Sequence, residues 1–389
     1  MLRYISADRI YPVERPSIDH GVIALTADGT IQAILTPQEA QDQEITAIEH
    51  YPGVIVPGFV NTHCHLELSH LLGQIQEKTG LTEFIKGILA LREQPVEDIV
   101  SAMEKADQEM YDNGIVAVGD ISNKLISKEI KLKSKIYYHT FVEVFGFNAP
   151  AEKTIVSGIE LKLAFAPLKA SIVPHAPYSV SSALFQKIAE VNGATDPISI
   201  HNQETQGENE LFELGTGRFA DFFAELGIAQ SEAHGQGKNA LAYHLPQLSR
   251  QANTLLVHNT FTSKSDLENS KKIHQQVFWC LCPNANLYIE DTLPNVAFFA
   301  AEGLKVTLGT DSLASNHQLN ILAEMKTLQD QKQIPFDTLL EWATRNGAEF
   351  LGIATTYGSL TPGKRPGILL LNLSDGDTIP ENAAIQRLF

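Results

Sequence analysis

Between residues 54 and 308 the chain changes its hydrophobic period again and again. Short apolar, β-branched runs give way to stretches whose apolar positions recur at helical spacing, and then return. Eight runs read as buried strands: 54–61, 116–121, 136–144, 171–174, 198–200, 254–257, 277–281 and 305–308. Between them the pattern predicts helices over 82–92, with Thr82 as N-cap, and over 96–113, closed at Asn113-Gly114. Further helices are expected over 181–192, 208–212 and 219–226. Strand and helix in alternation predict an α/β architecture with a parallel sheet. Eight such units is the strand number of a (β/α)8 barrel, although a doubly wound sheet alternates in the same way.

The ends follow another pattern. Residues 3–5, 21–25 and 31–35 are β-rich pieces, and Asp28-Gly29 is a hairpin turn signal. So little chain cannot bury a core alone. The run 367–373, after the Gly- and Pro-rich 358–366, offers a partner strand. We expect both ends to meet in one small β-domain, with the middle inserted between them.

A length of 389 residues suits one barrel of about 250 residues plus a smaller unit. The net charge of -17 would repel phosphates, so no nucleic-acid partner is expected. No apolar segment follows a basic start near Met1, and no long uninterrupted apolar run occurs, so neither a signal peptide nor a membrane span is expected. The three cysteines, Cys64, Cys280 and Cys282, are too few and odd in number for a disulfide framework and fit a reducing cytoplasm. Cys280-x-Cys282 lacks zinc-ribbon spacing and reads as core.

Candidate chemistry collects at strand ends, where barrels carry their active sites. The first strand ends in His63-Cys64-His65, and residues two apart on an extended chain share a face. The fourth ends at His175, the fifth at His201 followed by Glu204, the sixth at His258 and the eighth at Asp311. His20, His50, His139, His234, His244, His274 and His317 lie in polar or helical surroundings, or mid-strand, and read as structural; His70 is open. His63, His65, His201 and Asp311 form a metal-ligand set suited to Zn²⁺, with Fe²⁺ or Mn²⁺ as alternatives. The absence of thiolates argues against a sealed structural site. An activated water supplies a nucleophile. Glu204 is the candidate proton carrier, against the alternative of a helix-start carboxylate, which is the reading for Glu208. His258 would orient the water, His175 would contact substrate, and Asp311 would both bind the ion and shuttle the water proton.

These residues, within Pro57-Gly58-Phe59-Val60-Asn61-Thr62-His63-Cys64-His65, His175-Ala-Pro-Tyr-Ser, His201-x-x-Glu204, Val257-His258 and Gly309-Thr310-Asp311-Ser312, resemble the amidohydrolase superfamily. The likeness is to its cytosine deaminase, guanine deaminase and chlorohydrolase-like branch. It extends to Gly358-Ser-Leu-Thr-Pro-Gly-Lys-Arg-Pro-Gly367. It implies a metal-dependent (β/α)8 TIM barrel over 58–352, flanked by a β-sandwich built from 1–57 and 353–389, and the ligand roles given above. Binuclear members carry a carboxylated lysine at the end of the fourth strand; here Lys169 lies before that strand, so one metal ion is implied. His65-Leu66-Glu67-Leu68-Ser69 and Phe84-Ile85 resemble the adenosine-derivative deaminases, aminodeoxyfutalosine deaminases among them, which places Glu67 with His175 and Glu204 among the substrate contacts. Cys282-Pro283-Asn284-Ala285-Asn286 departs from the branch's Cys-Pro-x-Ser-Asn. The H-x-E with P-C-x-x-C of nucleic-acid-editing deaminases is missing.

The expected activity is hydrolytic deamination of a small aminated heterocycle, a 6-aminopurine nucleoside derivative, with release of ammonia. The alternatives are a dechlorinase or cyclic amidase on the same scaffold, or a non-catalytic metal-binding barrel. The expected partner is a small heterocyclic substrate, and a homodimer is left open.

Overall fold

Gly58 divides the first apolar run between two sheets. In the computed structural model, which describes residues 2–146, 149–373 and 375–389, Ile48–Pro57 and Phe59–Cys64 are separate strands. The first pairs with Arg3–Ile10 and Ile368–Leu371, the second with Ile115–Ser122. The single strand expected over 54–61 is therefore two. The chain passes so close to its neighbours here that a Cβ on Gly58 would stand 2.2 Å from Val116 Cγ1 and 2.7 Å from Pro366 O. Only glycine fits that corner.

Beyond it lie eight parallel strands: Phe59–Cys64, Ile115–Ser122, Tyr137–Val144, Lys169–Pro174, Ile198–Asn202, Thr254–His258, Val277–Leu281 and Val306–Leu308. Seven of the eight coincide with the apolar runs expected to be strands, and the first takes only residues 59–61 of its run. They form two four-stranded parallel ladders, one from the first four strands and one from the last four. The ladders meet at two seams. At one, His201 N–H donates to His175 O at 3.0 Å; at the other, Thr310 and Asp311 N–H both donate to His63 O at 3.1 Å. The backbone at both seams is thus the backbone of the candidate site.

The helices between the strands bury their apolar faces against this ring. Leu81–Leu91 starts from Gly80, not from a Thr82 cap; Leu81 N–H is satisfied instead by Glu290 Oε1 at 2.8 Å, and Thr82 is buried inside the first turn. Val96–Asp112 buries Ile99, Met103, Ala106 and Met110, a helical spacing that sets one face on the barrel. Ser181 does cap Ser182–Val191, its Oγ accepting from Leu184 N. The predicted pieces 208–212 and 219–226 appear as Gln206–Leu214 and Arg218–Glu225.

Both chain ends meet in one seven-stranded sheet, ordered Ile385–Arg387, Ile368–Leu371, Ile48–Pro57, Arg3–Ile10, Val22–Leu25, Ile31–Leu35, with Ile18–Asp19 beside Arg3–Ile10. Ile5, Ile10, Ile23, Ile31, Ile55 and Ile368 are fully buried in its core. Arg387 ties this unit to the barrel by donating to Tyr111 O at 2.7 Å. Among the described residues no helix is long and apolar enough to cross a membrane.

Candidate active site

The strand ends bring three imidazoles and a carboxylate to one point. His63 Nε2 lies 3.1 Å from His65 Nε2, which lies 3.3 Å from His201 Nε2. Asp311 Oδ1 is 3.4 Å from His63 Nε2 and 3.3 Å from His65 Nε2. A tetrahedral ion with ligands at about 2.0–2.1 Å leaves neighbouring ligand atoms about 3.3 Å apart. The spacing therefore fits a divalent cation. The protonation fits as well: His201 Nδ1–H donates to His175 O at 2.8 Å, which turns its Nε2 lone pair to the centre. Burial lowers the His65 imidazole to about 4 and holds His201 well below its ordinary range, so both stay neutral, as ligands must. Burial pushes the Asp311 carboxyl up, but the His63 hydrogen bond and the imidazoles of His65 and His258 outweigh it and keep it ionised. Ser315 Oγ donates to Asp311 Oδ2, which leaves Oδ1 for the centre.

The backbone reaches this geometry through conformations that side-chain-bearing residues seldom adopt. Gln203, His258, Asn259 and Asp311 all have positive φ, between 46° and 74°. Strain of this kind gathers at functional sites.

Glu204 is buried with its Oε1 3.5 Å from His258 Nε2. Burial, with the Asp311 and Glu290 carboxylates adding to it, holds its carboxyl well above the usual range. The protonated acid is thus the favoured form. Glu208, on the first turn of the following helix, accepts the N–H of Gln203 at 3.0 Å and of Glu204 at 3.2 Å. Its helix-start role fixes the loop that carries Glu204. His258 Nδ1–H donates to Asn286 Oδ1 at 2.9 Å, which turns Nε2 toward Glu204.

A cavity of about 270 Å³ opens over this centre and is bordered by His65, His175, His201, Glu204, His258 and Asp311. Its far wall is apolar, with Leu81, Phe84, Ile85 and Ile88 on one helix facing Phe222 and Phe223 on another. His175 stands on the wall, its Nδ1 bonded to Ser179 Oγ at 2.7 Å. Glu67 does not stand there. The turn over Leu66–Leu71 directs its carboxylate to the N–H groups of Asn123 and Lys124, each at 3.1 Å, so it braces a loop instead of reaching substrate. His70 likewise ties a turn, donating from Nε2 to Arg92 O at 3.2 Å. His139 and His244 are buried in polar bonds to Ser171 and Asn202. Cys64, Cys280 and Cys282 are buried and free.

Two residues given no role from the sequence, Ser315 and Glu143, stand at the site, as does Asn286 of the Cys282–Asn286 motif. Glu143 lies on the cavity wall at the end of the third strand. Its signal was an acid inside the apolar run Phe141-Val-Glu-Val144.

Residues 54–388 match the family model described as Amidohydrolase family. The chain belongs to the amidohydrolase family. This amidohydrolase is 26% identical over 344 residues to an adenosine deaminase of Helicobacter pylori, covering 86% of this chain and 82% of that one. It is 26% identical over 377 residues to an aminodeoxyfutalosine deaminase of Nitratiruptor sp., covering 92% and 89%. Among solved structures it shares the fold of Helicobacter pylori aminofutalosine deaminase in complex with methylthio-coformycin, with a TM-score of 0.81 at 23% identity, covering 96% of this chain and 92% of that one.

Proposed function

We propose that this amidohydrolase removes the 6-amino group of an adenosine derivative by hydrolysis, with Zn²⁺ as its ion, in a reducing cytoplasm. The observation that carries the reading is the pairing, at 3.5 Å, of a buried acid, Glu204, with His258 beside four convergent ligand atoms at the base of the cavity. The deaminases among its relatives support the choice of substrate.

His63, His65, His201 and Asp311 would hold the ion. When bound, it lowers the pKa of a water to about 7 and so makes a nucleophile available at neutral pH. His258, fixed by Asn286, orients that water toward C6 of the purine. Glu204 donates its proton to N1 as the new C6–O bond forms. Asp311 accepts a proton from the water and returns it to the departing amine. As the C6–N bond breaks and ammonia leaves, the proton of the new C6 hydroxyl passes to Glu204 and restores its acid form, and the ring keeps a 6-oxo group with N1–H. The apolar wall from Leu81 to Ile88 excludes water and covers the heterocycle.

The test is a panel read by ammonia release and ultraviolet absorbance. Adenosine, 5′-deoxyadenosine, 5′-methylthioadenosine, S-adenosylhomocysteine, guanine, a chlorotriazine and a cyclic amide are compared. Turnover confined to adenosine derivatives supports the reading. Turnover of the chlorotriazine or cyclic amide in their place replaces it with the other hydrolase chemistry.

A further inference from the structure

Glu143 carries a buried oxygen with nothing to do. Its side chain is 5% exposed, and among the described residues its Oε1 has no hydrogen-bond partner. Oε2 is occupied by Asn123 Nδ2 at 3.1 Å. His201 Nδ1 stands 3.8 Å from Oε1, beyond hydrogen-bond reach, and its proton is already given to His175 O. Buried acceptors in native proteins are almost always paired, and one left idle on a cavity wall is completed by what enters the cavity.

One candidate occupant is a second cation, since atoms of Glu143, His175 and His201 lie within 4.8 Å of one another. The set is too small. His201 Nε2 belongs to the first ligand group and its Nδ1 bears a proton, so only two ligand atoms remain. An acceptor of this kind needs a neutral donor instead. The N–H and O–H donors of the adenosine moiety itself can be counted: the 6-amine and the hydroxyls of the sugar. The ring nitrogens are acceptors. The 6-amine is held at Glu204 and Asp311 if the chemistry is to occur there, which leaves the sugar hydroxyls.

We propose that Glu143 Oε1 accepts a hydrogen bond from a ribose hydroxyl, 2′ or 3′, and makes this enzyme select ribonucleosides over the corresponding deoxynucleosides. This deepens the deaminase reading and rests on it. Asn123 holds the carboxylate in the required orientation. The wall opposite is apolar, so the hydroxyl finds its partner at Glu143.

The experiment compares adenosine, 2′-deoxyadenosine and 3′-deoxyadenosine, with free adenine as control, for the wild type and Glu143→Gln. In the variant the Asn123 donor claims the amide oxygen and turns the NH₂ to the cavity, so the hydroxyl must accept instead of donate and the bond to the carboxylate is replaced by a weaker one. The wild type is expected to lose about ten- to hundredfold in kcat/KM on one of the two deoxy substrates. Glu143→Gln is expected to lose part of that factor on adenosine and nothing further on the matching deoxy substrate, with unchanged zinc content. A merely structural role predicts equal losses on all three, and that result overturns the proposal. So does a wild type indifferent to both hydroxyls, a measurement that needs no variant. A second ion per chain that disappears in the variant would also overturn it. Turnover of adenine without any nucleoside removes the Glu143 role and leaves deamination standing; no turnover of any of them removes both.

Discussion

His258 Nδ1 donates to Asn286 Oδ1 at 2.9 Å, and this bond decides which ring nitrogen faces Glu204. The tautomer is thereby fixed with its Nε2 lone pair toward the acid and the cavity. Replacing Asn286 by Leu removes the anchor without touching a metal ligand. The variant should keep its zinc and lose about 10–100-fold in kcat. Metal analysis beside steady-state kinetics checks this.

Glu204→Gln keeps the shape of the side chain and removes the transferable proton. The expected loss in kcat is about 10²–10⁴-fold, with zinc content unchanged. Burial raises the wild-type carboxyl, so the acid form persists to higher pH than a surface glutamate's. Activity limited by this group should fall as pH rises through its raised pKa, and the alkaline limb of the kcat profile reports it.

Behind the first strand, Lys131 Nζ is fully buried 2.6 Å from Asp120 Oδ2, while Asp120 Oδ1 accepts Leu66 N–H at 2.8 Å beside His65. Lys131→Met would strand a buried carboxylate. We expect a loss of about 3–5 kcal/mol in denaturant unfolding. Lys131→Met with Asp120→Asn should recover part of it.

Glu208 and Glu324 are buried, and desolvation raises each carboxyl to about 8. An unfolded chain releases these protons near its ordinary carboxylate pKa, whereas the folded chain keeps them. Unfolding therefore releases protons between those limits, and stability should decline as pH rises from about 5 to 8. His139, lowered to about 4, and His244, lowered to about 3, work in the opposite sense, both by burial: stability is lost as pH falls below about 6.5. Tm measured across pH at fixed zinc should show a Glu208→Gln variant with a shallower alkaline decline.

The histidines at 63, 65, 201 and 258 could be read along the chain because each follows an apolar run, and a buried strand has to end at a barrel rim. The ring of eight strands was legible for the same reason. The change of sheet at Gly58 was not legible in the apolar pattern, which runs unbroken through 54–61 and reads as one strand; the boundary between 57 and 58 was expected from the family resemblance alone. Glu67 misled because its neighbourhood in sequence matched a motif, while a tight turn aims the carboxylate at Asn123 and Lys124. Ser315 carries no local pattern; Asn286 closes a motif quoted only for its departure, and Glu143 is a single acid in an apolar run, so tertiary folding is what sets the three against Asp311, His258 and the cavity.

The convergence of His63, His65, His201 and Asp311 on one reactive ion is tested most directly by removing the metal with a strong chelator and titrating Zn²⁺ back while ammonia release from an adenosine derivative is followed. Activity should be absent in the stripped protein and return in proportion to occupancy, reaching its limit at one ion per chain. Full turnover by the metal-free protein would contradict the account.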